Sequence, residues 1–163
     1  MTTTTNPKKE SDTPSESAVS QVQTATATAI PSVTLARTTE QLNQTLMLME
    51  RHATDLVNSS IVREGYMAHG HPAELGFQHL STMTTSRLKK RFPLFEKKQP
   101  LFHILWAKGR VIVGEELVRK YEARKAGKVY DYTKAIDERF AKMFTELEQY
   151  QEVLRNIAYE EKR

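Results

Sequence analysis

Seven apolar residues near the C-terminal end of the chain, Ile136, Phe140, Met143, Leu147, Tyr150, Leu154 and Ile157, are separated by alternating steps of four and three. That alternation keeps side chains on one face of a helix and on no single face of a strand, so this segment constrains the fold more than any other. It predicts one continuous helix with a narrow apolar seam. Phe144 and Val153 widen the seam, which favours packing in a bundle over a free two-stranded coiled coil. The strictness of the spacing also keeps self-association among the expected contacts.

Upstream, Thr38 and Gln41 have the form of a capping box, and Leu42, Leu46, Met49, Ala53 and Leu56 then recur at helical spacing. The pattern predicts a helix ending near Gly65, followed by a loop over residues 65–71. Pro72 suits a first helical position, and Leu75, His79, Leu80 and Met83 carry a second helix to about Met83. Thr84 then reads as the cap of a short helix closed by Phe92-Pro93, because the residue before proline is pushed out of the helical region. The alternative is a helix running unbroken from Pro72 to Phe92.

Pro100 opens a further segment in which Leu101, Leu105, Ile112, Val118 and Tyr121 share a helical face. Gly109, Gly114 and the Val111-Ile112-Val113 run would also allow a hairpin turning at Lys108-Gly109; helix is favoured. Gly127, after Arg124 and Lys125, reads as a helix C-cap. The expectation is an all-α bundle of about five helices in one domain over residues 35–163. Residues 1–34 are rich in Thr, Ser, Ala, Gln and Pro, carry no aromatic residue and show no apolar period, and read as a disordered tail.

There is no cysteine, which removes disulfides and thiolate metal sites and fits a reducing compartment. The N-terminus lacks the apolar stretch of a signal peptide, and runs such as Ile104-Leu105-Trp106-Ala107 fall far short of the roughly 20 residues of a spanning helix. A cytoplasmic protein with no membrane partner is expected. His69, His71 and His79 invite a metal, but His69 and His71 flank a glycine and no acidic cluster completes a ligand set, so neither metal nor cofactor is expected. His52 and His103 read as residues at the core boundary. No phosphate loop or nucleophile elbow is present, Ser86 has no identifiable base, and Glu115-Glu116 point in different directions on a helix. The chain does not read as an enzyme.

Charge is the stronger functional signal. Between Leu80 and Lys128 thirteen Lys and Arg face four Asp and Glu, inside a chain whose total is only +4, so the flanks are net acidic. A dense local positive field suits a polyanion. Arg87, Lys90 and Arg91 fall at i, i+3 and i+4 on one helix face, with Leu88 and Phe92 turned to the core. In a first turn each such cation would oppose the helix dipole by roughly 0.3 to 1 kcal/mol, which makes sense if an anion sits there. At a helix C-terminus the same cations imply no ligand. Lys97, Lys98, Lys108, Arg110, Arg119 and Lys120 add weight to the ligand reading. Trp106, between Leu105 and Ala107, reads as core in preference to a stacking platform.

Several short motifs fall into one pattern: Ala73-Glu74-Leu75-Gly76, then Thr84-Thr85-Ser86-Arg87-Leu88-Lys89-Lys90 with Phe92, then Trp106-Ala107-Lys108-Gly109-Arg110, and Ile157-Ala158-Tyr159. The pattern resembles the small helical subunit of type III-A CRISPR effector complexes, the Csm ribonucleoproteins. Arg87, Lys89 and Lys108 stand where that family usually has Gln, Arg and a small residue, and each keeps or adds positive charge. The resemblance implies a non-catalytic all-α protein stacked in copies along crRNA-binding subunits, lining the channel for target RNA. Its partners would be crRNA and target RNA together with other effector-complex subunits. Carried over, Arg87, Lys89, Lys90 and Arg110 contact RNA phosphates, and helical geometry adds Arg91. The alternative class is a helical interaction subunit of another assembly, its basic segment a solvated face or a dock for an acidic partner.

Overall fold

Val33 already belongs to the folded chain, five residues ahead of Thr38, where the helical pattern begins. The computed structural model describes Ser32–Arg163; the rest of the expected tail, residues 1–31, lies outside the described residues. Ser32 caps a single 3-10 turn, Val33–Leu35, whose Val33 is buried. The described residues then form six α-helices and no strand: α1 (Thr39–Val57), α2 (Ser60–Ala68), α3 (Leu75–Arg91), α4 (Pro100–Lys125), α5 (Tyr132–Phe144) and α6 (Leu147–Lys162). The all-α bundle is as expected, with one helix more than counted.

The start of α1 follows its capping residues. Thr38 Oγ1 accepts from Gln41 N at 3.1 Å, while Gln41 Oε1 accepts from Arg37 N at 2.7 Å, one residue outside the usual reciprocal bond. The helix stops eight residues before Gly65. Asn58 caps it, and the Ser59 hydroxyl donates to Leu56 O at 2.6 Å, offering the backbone a local alternative to another helical turn. Gly65 lies inside α2, and a Cβ there would overlap the Tyr121 ring of α4. This glycine marks a close helix approach, so the expected loop begins only at His69.

The connection into α3 holds a second correction. Pro72 closes one turn, with Leu75 N donating to Pro72 O at 3.1 Å, and the helix itself starts at Leu75. From there α3 runs unbroken through Thr84 to Arg91 and stops before Phe92-Pro93. Thr84 caps nothing. It is fully buried, with its hydroxyl unpartnered among the described residues.

Helix α4 is the centre of the bundle, packing on all the other helices. Its buried residues, from Phe102 and Ile104 through Ile112, Val113 and Leu117 to Tyr121, point in every direction around its axis. A helix apolar all round is a core helix, which is why a single face was hard to read over residues 101–126 and why the hairpin alternative fails. At Gly109 a Cβ would stand 2.8 Å from both Phe140 Cζ and Thr84 Cγ2, so glycine lets α3 and α5 close on α4. Gly127 adopts φ 72° just beyond the cap at Ala126, as its position suggested.

The C-terminal seam buries as its spacing predicts at Ile136, Phe140, Met143, Tyr150 and Ile157, but on two helices instead of one. Between them the Thr145 hydroxyl donates to Lys142 O at 2.6 Å, and Glu146 N donates to Met143 O at 3.0 Å. A β-branched residue that satisfies its hydroxyl on its own backbone breaks the helix where apolar period alone carries it through.

Candidate nucleic-acid interface

Because α3 does not restart at Thr84, Lys89, Lys90 and Arg91 occupy its last turn, where cations complement the negative end of the dipole. The dipole therefore accounts for part of that charge. It does not account for all of it: a helix end carries roughly half a negative charge, and three cations in one turn exceed it severalfold. Lys97 and Lys98 extend the cluster into the connection to α4, where Phe92 and Phe95 pack at 5.0 Å and Gln99 N donates to Glu96 O at 3.2 Å. All five cations are exposed, and none has an ion-pair partner among the described residues.

Arg87, Lys90 and Arg91 share one face, as their spacing required. They rim a groove between α3 and α5 whose floor is Phe140, Ala141 and Phe144 and whose opposite wall carries Asp137. Arg87 Nε donates to Asp137 Oδ1 at 2.7 Å and its NH1 donates to Met83 O at 3.3 Å. The Arg91 guanidinium lies over Phe92 and Phe144, 4.9 and 5.8 Å from the ring centroids. Lys89 is exposed outside this groove.

Arg110 belongs to a different environment. It pairs with Glu50 of α1, donating to Oε2 at 2.6 Å, and its guanidinium stacks on Trp106 at 5.5 Å. With its side chain only 12% exposed, Arg110 ties α1 to α4 and is not brought together with the α3 cations. Nothing in local sequence pairs Arg110 with Glu50, or Arg87 with Asp137, since both partnerships cross between helices.

The adjacent carboxylates Glu115 and Glu116 do diverge, yet one guanidinium spans both. Arg139 of α5 donates to Glu115 Oε1 at 2.7 Å and to Glu116 Oε2 at 2.9 Å. Glu116, almost fully buried, also accepts from Arg119 and from the Tyr130 hydroxyl. At the far end of α4 the Tyr66 hydroxyl pairs with His79 Nδ1, and His69 and His71 stack with ring centroids 6.3 Å apart. Among the described residues no cluster of three or more His, Cys, Asp or Glu is arranged to hold a metal ion, and no helix is long and apolar enough to cross a membrane.

Burial holds the His79 pKa below its usual 6.5, with Lys120 and His71 acting in the same direction. The unfolded chain therefore takes up this proton first. The stability His79 contributes is complete above the unfolded value and is lost as pH falls through it toward the folded one. Glu115 works alike at lower pH: burial raises its pKa, but His52 3.9 Å away and the hydrogen bond from Arg139 outweigh that and leave it below 4.5. The urea midpoint is expected to be lower at about pH 5.5 than at about pH 7.5, and His79→Gln should flatten that slope. An unchanged midpoint across that range would contradict the assignment.

Comparison of the chain with protein-family models, curated proteins and solved structures found no match.

Proposed function

We propose that this protein is a non-catalytic, RNA-contacting helical subunit, and that the assembly its short motifs fit is a type III-A CRISPR ribonucleoprotein effector. The observation that carries the RNA reading is the distribution of partners among the cations. Arg87, Arg110, Arg119 and Arg139 are engaged by carboxylates, whereas Lys89, Lys90, Arg91, Lys97 and Lys98 are exposed at one end of the bundle without one among the described residues. Five exposed cations clustered in the last turn of α3 and the connection that follows repel one another, and a phosphate backbone relieves that repulsion while releasing its own counterions. Such contacts position a strand without reading its sequence, which suits a subunit whose complex takes specificity from base pairing. Arg110, held against Glu50, takes a bracing role between helices and drops out of the proposed contact set.

Binding of the protein to a single-stranded oligonucleotide such as oligouridylate, followed by fluorescence anisotropy, tests the reading. Five phosphate contacts predict that log affinity falls with log salt at a slope of about −3.5. Absence of binding at low salt, or a slope near zero, overturns it. A second reading, docking of an acidic protein, draws on Leu94, which is 93% exposed beside the same cations. Polyglutamate displacing the RNA at equal charge concentration would favour that reading.

A further inference from the structure

The α3–α5 groove combines three features that the charge count alone does not explain. Two of its cations, Lys90 and Arg91, have no carboxylate partner among the described residues, while the third, Arg87, is held by Asp137 from the opposite wall. The Arg87 side chain is 17% exposed and lies 5.8 Å from the Phe140 centroid, so its guanidinium is seated before any ligand arrives. Asp137 is 59% exposed, and an ion pair open to water on one side contributes little to stability. The pair is therefore poor as a strut and well placed for exchange.

We infer that the groove takes one phosphate of single-stranded RNA, and that Asp137 occupies the phosphate position on Arg87 until the strand displaces it. The inference rests on the RNA reading above. A carboxylate and a phosphate present the same acceptor geometry to a guanidinium, and both bind it through charge-assisted hydrogen bonds. Lys90 and Arg91 supply the excess positive charge that tips the exchange toward phosphate, and Phe144 on the floor gives the sugar and base an apolar surface. No bond forms or breaks covalently; one anion leaves the guanidinium as another arrives. Asp137 thereby sets the threshold of the site, weakening RNA binding by competing for Arg87.

The test uses the full chain, oligouridylate of fixed length and anisotropy over a range of salt. Asp137→Asn keeps an oxygen acceptor but removes the charge, and is expected to bind RNA about threefold to tenfold more tightly, with a salt slope steeper by about 0.7, one phosphate contact. Adding Arg87→Gln should cancel both gains. Glu138→Gln removes the same charge from the neighbouring exposed position and should give less than half the effect. Equal gains from D137N and E138Q, a gain that survives in the double variant, or no gain at all would overturn the exchange. Circular dichroism confirms that each variant is folded. Wild-type binding with an indifferent D137N removes the groove alone, whereas wild-type protein that ignores RNA at low salt removes the RNA reading with it.

Discussion

Replacing Lys89, Lys90 and Arg91 together by glutamate is expected to weaken binding of single-stranded RNA by about a hundredfold or more near 0.1 M salt. The variant removes three phosphate contacts and sets three carboxylates against the strand, so loss and repulsion act in the same direction. Three lost contacts should also flatten the salt slope by about two. None of the three side chains has an ion-pair partner among the described residues, so no ion pair inside the bundle is broken, and the packing lost is that of the Arg91 guanidinium on the Phe92 and Phe144 rings. The cost to the fold is electrostatic: reversing cations in the last turn of α3 sacrifices roughly 0.3 to 1 kcal/mol each against the dipole. Circular dichroism and urea titration separate that loss from loss of binding. Binding within threefold of wild type would sink the proposed interface. Arg110→Gln should behave in the opposite way, lowering stability through the Glu50 pair while leaving the salt slope of the folded protein unchanged.

Glu116→Ala is expected to destabilise the protein by about 3 kcal/mol, a large loss for a single polar side chain. Glu116 is 1% exposed on the central helix, and Arg119, Arg139 and the Tyr130 hydroxyl converge on it. Removing it strands the partners of a buried charge, the case in which desolvation is left uncompensated. The magnitude sits at the lower end of the range because Arg119 and Arg139 are partly exposed and can turn to water. Glu116→Gln, which keeps the shape and one acceptor, should lose about half as much. Urea unfolding of the two variants decides it. A loss below about 0.5 kcal/mol for the alanine variant would show that the network stabilises nothing.

The Gly65 and Thr84 corrections have the same origin. Glycine is a poor helix interior residue and threonine a good cap, so local propensity placed a boundary at each. Both boundaries were overruled from across the bundle. Tyr121 of α4 lies where a Cβ on residue 65 would be, and Thr84 lies buried against the position where a Cβ on Gly109 would be. The seam from Ile136 to Ile157 shows the converse: period identified which residues are buried, while the hydroxyl of Thr145, invisible to hydropathy, divided the helix.

The sequence by itself determined the helical class, the α1 cap at Thr38, the buried face of the C-terminal segment, and the common face of Arg87, Lys90 and Arg91. These are local properties, set by spacing and by groups a few residues apart. Only the tertiary structure decided which cations are engaged. Arg87 meets Asp137 fifty residues later and Arg110 meets Glu50 sixty residues earlier, and no local pattern encodes either encounter. That distinction moved the proposed contacts away from Arg110 and toward the end of α3, because a charge already balanced inside the fold has little left to offer a ligand.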